Sequence, residues 1–369
     1  MKNKRIEEID ILKGLGIILM VLCHAGGPGQ DFIYLFHMSI FFMASGYFFR
    51  SDSTDTTKAL LQSLKGKIRH LWFPFFLWNT IYVLLHNLLI TINVYTDNPL
   101  VFNYVNTPHM ALVGPYELKH ILYFMARGIL LKSAEPMFAA HWFIAILFFI
   151  TTGYAVLDFL LKRSLNNTDI AQPVVSLVLL GAGYYCSVRH IELSGLARAA
   201  SFYCLYDLGY RLSKYRKYYD DLKTPYYGAG VILCFLSLEI LKHFGSVELS
   251  ENQYTNPLVL LAGALAGWFF LYSLSKLILV IRPLKNILKV IGENTLSILI
   301  LHFLCFKPVH LLITVYYRIP EYCIAAFPNL YGERGFWWIP MTLLGTVIPV
   351  VLSLMVQNIK RRLSFIQKS

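Results

Sequence analysis

The sequence predicts an all-α fold, a polytopic integral membrane helix bundle of about ten transmembrane helices with both termini cytoplasmic. Three observations carry this expectation. Of 369 residues, 56% are hydrophobic and only 15% charged, with a mean hydropathy of +0.54, too little polar surface to clothe a soluble domain. Apolar stretches of membrane-spanning length recur from one end of the chain to the other. The basic residues behind the net charge of +12 fall in short clusters between those stretches, the pattern of cytoplasmic membrane loops and not of a nucleic-acid groove.

Taken in order, the spans are expected near residues 9–24, 31–50, 71–91, 139–161, 174–188, 199–212, 226–241, 257–278, 291–313 and 337–357. The first follows a basic start, yet Lys13 interrupts its apolar run, no small-x-small cleavage site follows, and a second apolar stretch comes at once. It therefore reads as a retained helix and not a signal peptide. On that helix Lys13 and His24 lie eleven residues apart, three turns plus roughly 20°, so both point from one face about 16 Å apart. Asp10 sits one turn below Lys13, in pairing range. The second span, Ile33 to Arg50, carries His37 and brings a second histidine toward the same end of the hairpin.

The third span opens on a basic cluster, Lys65 to His70, just before Pro74. The segment 92–138 that follows is long and polar, and within it Leu118 to Leu131 is an amphipathic stretch that either lies along the interface or re-enters the membrane. The fifth and sixth spans are short. If the N-terminus is cytoplasmic, the inside segments collect Lys2, Lys4, Arg5, Lys162, Arg163, Arg216, Lys217, Lys360 and Arg361 among others, and the outside loops hold far fewer cations. That asymmetry supports an even count with both ends inside. No internal repeat or appended soluble domain is visible, so residues 1–369 read as one transmembrane domain. The six cysteines are scattered without a Cys-x-x-Cys pair, and no metal site is expected.

Ionisable groups inside spans are costly to bury and are functional candidates by default. Asp10 and Lys13 have a plainer reading as a neutralised pair that snorkels to the interface. His24, set beside His37 and on the face of Lys13, points to catalysis or ligand binding. A neutral imidazole is suited to taking a proton from an alcohol near neutral pH.

The order Ile-Asp-Ile-Leu-Lys-Gly, His24, then Phe-His-Met-Ser-Ile-Phe-Phe-Met-Ala-Ser-Gly resembles the opening of the acyltransferase 3 family. The likeness continues through Lys67-Ile-Arg69-His70 before Pro74, His141-Trp-Phe, Phe202 to Gly209, and Gly292-Glu-Asn-Thr-Leu-Ser to His302. It implies a membrane O-acyltransferase that moves an acyl group, most often acetyl, from cytoplasmic acyl-CoA to a hydroxyl of a cell-envelope or extracellular glycan. No bound cofactor is implied, since acyl-CoA is the donor substrate. The partners implied are acyl-CoA, a glycan or lipid-linked sugar and membrane lipid, without nucleic acid, in the bacterial inner (plasma) membrane.

Carried over by position, the catalytic set is His24, supported by His37 or His302. The acyl-CoA set is Lys13, Lys67, Arg69 and His70, with Asp10 supporting Lys13. The family's two arginines before the proline fall here on Lys67 and His70, which lack the guanidinium fork, so phosphate contact is expected to pass to Arg69. Donors to the oxyanion are expected from a backbone amide, Ser45 or Asn79. The competing class is a transporter that uses the same His, Lys and Asp residues for proton or substrate coupling.

Overall fold

The computed structural model describes residues 6–105, 109–165 and 168–366. The chain runs α1 (Glu7–His24), α2 (Gln30–Tyr34), α3 (Ser39–Tyr47), α4 (Thr57–Lys67), α5 (Phe73–Thr91), α6 (Leu118–Ile129) and α7 (His141–Ser164). It continues through α8 (Thr168–Val188), α9 (Leu196–Lys214), α10 (Thr224–Leu241), α11 (Pro257–Ile278), α12 (Arg282–Glu293), α13 (Thr295–Tyr317) and α14 (Trp338–Ile366). A two-residue hairpin, β1 (Val247–Glu248) with β2 (Gln253–Tyr254), joins α10 to α11. Among the described residues seven helices are long and apolar enough to cross a membrane: the continuous Thr57–Thr91 helix, α7, α8, α10, α11, α13 and α14.

Four expected spans take other forms. Five acidic or basic residues, Glu7, Glu8, Asp10, Lys13 and His24, lie in the eighteen of α1. The stretch expected as one helix over 31–50 is two short helices joined by a turn at 35–38, and His37 sits on that turn. Polar α9 is an interior helix, and its face from Ala197 to Gly209 is buried. The span expected over 291–313 begins later, because the chain breaks at Asn294 between α12 and α13.

Glycine sets the closest helix approaches. A Cβ on Gly292 would lie 1.8 Å from the Asp10 carbonyl oxygen, and one on Gly14 would lie 2.2 Å from that of Leu288. The amphipathic α12 therefore lies backbone to backbone against the first half of α1. The α3–α9 crossing is built the same way, with Gly46 against Tyr206 and Gly209 against Met43.

The end of the bundle where α1 begins is held by charge and is called the base. Glu7 pairs with Lys289 (2.7 Å) and Lys285 (3.1 Å) of α12. Glu8 accepts from Arg216 (2.6 Å) and Lys276 (3.3 Å), and Asp220 binds both of those cations and the Tyr272 hydroxyl. The opposite end, the rim, carries the long loops. There His86 of α5 meets the Glu135 carboxylate at 3.1 Å and the Gly114 carbonyl at 3.1 Å, and Tyr95 also donates to Glu135. Amphipathic α6 packs along α5, with Asn79 donating to the Phe124 carbonyl and Trp72 to that of Ile129.

Between Lys67 and Phe73 the long Thr57–Thr91 helix widens into one π turn, Ile68–Trp72. Pro74 lacks the N–H that would bond the His70 carbonyl, and the wider turn accommodates that gap.

Candidate active site

His24 is the last residue of α1, and the chain then turns through Gly26 at φ +79°, where a side chain would be strained. Its carbonyl accepts from Asn329 Nδ2 at 3.0 Å, which ties the helix end to the rim loop before α14. His24 Nδ1 lies 2.9 Å from Nε2 of His302. The direction of that bond follows from the other side of His302, whose Nδ1 lies 2.9 Å from the Ile298 carbonyl and 3.0 Å from that of Leu299. Carbonyls only accept, so His302 Nδ1 carries the hydrogen and its Nε2 offers a lone pair. His24 must then donate from Nδ1, which leaves His24 Nε2 as a proton acceptor.

His302 is fully buried and lies behind His24, away from the cavity wall. Phe303 stacks on the His24 ring with centroids 4.9 Å apart and fixes its plane. His24, His37 and His141 line one cavity of ≈ 310 Å³. Both of the other rings repeat the same tautomer logic: His37 Nδ1 donates to the Ile33 carbonyl (3.0 Å) and His141 Nδ1 to the Phe138 carbonyl (2.6 Å).

That cavity is one of a row. Toward the base it shares Met38 and Leu299 with an apolar cavity of ≈ 250 Å³. The apolar cavity shares His70, Leu71 and Leu147 with one of ≈ 320 Å³ lined by Lys67, Ser63 and Tyr206. Toward the rim the histidine cavity shares His24, Tyr34, His109 and Pro328 with an outer one of ≈ 530 Å³. The row thus runs from Lys67 and His70, past an apolar neck, to His24 and on to the rim loops.

The residues singled out from sequence divide accordingly. His24 and His302 are in direct contact, and His37 joins His24 on the cavity wall. Lys67 and His70 line the base cavity, where Lys67 donates to Ser63 Oγ at 2.8 Å. Arg69 is exposed and is not on the lining of that cavity, so the wide turn aims its neighbours, and not Arg69, at the row. Lys13 is bound to Asp10 at 2.8 Å near the base. Lys285 and Lys289 of α12, also at the base, are engaged by Glu7. Of the expected oxyanion donors, Asn79 is packed between α5 and α6 and Ser45 lines the base cavity, so neither stands beside His24.

The chain matches the family described as "Acyltransferase domain" over residues 6–357, nearly its whole length. It belongs to the acyltransferase 3 family. No curated protein and no solved structure matches it. This acyltransferase is a membrane protein by its long apolar helices, and membership favours acyl transfer over the transporter reading.

Several parts of this candidate site carry no sequence signal by themselves. His141 is visible only as the residue before Trp142 in a familiar motif, and the start of α7 brings it to His24. The roof is held from below by α13: Lys307 Nζ donates to the Ile324 (3.0 Å) and Ala326 (2.8 Å) carbonyls, and His310 to that of Ile324 (3.0 Å). Phe327 and Pro328, next in that loop, close the cavity. Lys307 and His310 are thus roof supports and stand off the cavity wall.

Proposed function

We propose that this acyltransferase moves an acyl group, in the first instance acetyl, from cytoplasmic acyl-CoA to a hydroxyl of a cell-envelope or extracellular glycan. In this reading the base faces the cytoplasm with both termini. The chain makes ten passes when α1, the α2–α3 pair and α9 are added to the seven apolar helices, and the membrane is the bacterial inner membrane. What supports the reading most is the row of cavities that joins Lys67 and His70 to His24. The phosphates of acyl-CoA meet Lys67 and His70, with Lys13, held by Asp10, and Arg69 adding positive charge at the base. The pantetheine arm threads the apolar neck, and the thioester reaches the histidine cavity.

There His24 Nε2 takes the proton from the acceptor hydroxyl as its oxygen attacks the thioester carbonyl. The carbon–sulfur bond then breaks, and the same proton passes from His24 to the departing thiolate, giving the ester and free CoA. His302 accepts from His24 Nδ1 throughout and steadies the imidazolium. His37 shares the wall, and the Tyr34 hydroxyl and Trp142 indole on the cavity lining are available donors for the oxyanion.

The test compares wild type with His24→Ala at matched membrane abundance, following labelled acetyl from acetyl-CoA into membrane glycan together with CoA release. Loss of a general base predicts a fall of about 10²- to 10⁴-fold. Equal labelling by both proteins would remove His24 from the chemistry.

A further inference from the structure

The rim side of the histidine cavity carries one feature that proton transfer does not use. Glu248, at the end of β1, lines the cavity that holds His24, together with Tyr34 and His109. Its Oε1 accepts from the Ser250 backbone N–H (3.1 Å) and from Ser250 Oγ (2.6 Å). Both bonds fall on one oxygen, so the hairpin fixes the carboxylate without using Oε2. Arg198, a cation on the same wall, is paired with Glu192 at 3.1 Å. Glu251 on the same wall adds further negative charge.

We infer that Glu248 selects the acceptor: Oε2 takes a hydrogen bond from a second hydroxyl of an uncharged polyhydroxyl acceptor and keeps anionic sugars from reaching His24. The inference rests on the glycan reading of the same site and adds to it the charge class of the acceptor. A carboxylate held with one free oxygen accepts from a neutral diol at little cost. Against a second carboxylate or a phosphate in a partly desolvated cavity it is repulsive, and such juxtaposed like charges discriminate strongly.

The experiment uses the full-length protein in nanodiscs with acetyl-CoA and two acceptor probes, 4-nitrophenyl β-D-glucoside and the corresponding glucuronide, with acetylated products read by mass spectrometry. Wild type is expected to favour the glucoside. Glu248→Gln should raise the glucuronide-to-glucoside ratio by about tenfold, equivalent to about 1.4 kcal/mol. Glu248→Asp, which keeps the charge, should retain the wild-type ratio. An unchanged ratio in Glu248→Gln with both products formed overturns the role of Glu248 and leaves the acyltransferase reading intact. If wild type acetylates neither probe, the glycan reading fails and the selection role falls with it. A change that Glu248→Asp shares with Glu248→Gln assigns the residue to hairpin structure and also overturns the proposal.

Discussion

At the scale of single residues, the proposed reaction has the pair His24 and His302 divide labour as a reacting base and its positioning partner. Two carbonyls of the preceding turn hold the hydrogen of His302 on Nδ1, so this ring can only accept from His24. Removing it would free the His24 ring to rotate and to carry its proton on either nitrogen. His302→Ala is expected to lower kcat by about 10- to 100-fold, the usual effect of losing a group that orients a reactive ligand, with the KM for acetyl-CoA little changed. His302→Gln, whose amide oxygen can accept from His24, should recover part of the loss. Steady-state kinetics on the purified protein checks both, and a rise in KM at constant kcat would contradict the positioning role. The facing of Lys13 and His24 was legible in the sequence because helical periodicity alone sets it. The His24–His302 contact was not, since 278 residues separate the two rings and only the packing of α13 behind α1 joins them.

At the scale of elements, the base cluster shows how charge is used to hold helices that glycine has brought close. Burial, the largest single influence on Asp220, pushes its carboxyl up, but bonds from Lys276 and Tyr272 and the charges of Lys276 and Arg216 outweigh it and hold it at about 2. A carboxyl lowered in the folded state contributes stability that is present above its ordinary pKa and is lost as pH falls through the folded value. Asp220→Asn should therefore lower the melting temperature in detergent at pH 7, and its difference from wild type should shrink as pH falls toward 2 and vanish below it. A pH-independent difference would assign the effect to packing.

Apolar composition located most helices but did not report the break inside the second stretch. Ile33 to Met38 is nearly all apolar, and what turns it is a neighbour: a Cβ on Gly267 of α11 would lie 2.1 Å from Phe36 Cβ, so α11 offers a notch into which the turn is pressed. Interior α9 shows the opposite case. Its polar residues are paired, with Asp207 accepting from Tyr154 (2.8 Å) and Arg211 (2.8 Å), and its mean hydropathy therefore understates its burial.

At the scale of the whole molecule, the proposed reaction brings two substrates to His24 from opposite ends of one row of cavities. The base end offers cations and a narrow apolar neck, which suit a phosphate-bearing donor with a thin flexible arm. The rim end offers carboxylates, tyrosines and histidines under a roof held by α13, which suit a polyhydroxyl acceptor. The row itself was not legible, because residues from α1, the α2–α3 turn, the π turn, α7 and α13 line it and no local pattern joins them.

The most direct measurement places the two substrates on opposite sides of a sealed membrane. In oriented proteoliposomes, labelled acetyl-CoA is supplied only at the face bearing the termini, and a membrane-impermeant glycan only at the other. Transfer through the row predicts acetylated glycan on the far side, with CoA released on the near side. Labelling only when both substrates share one side would contradict it.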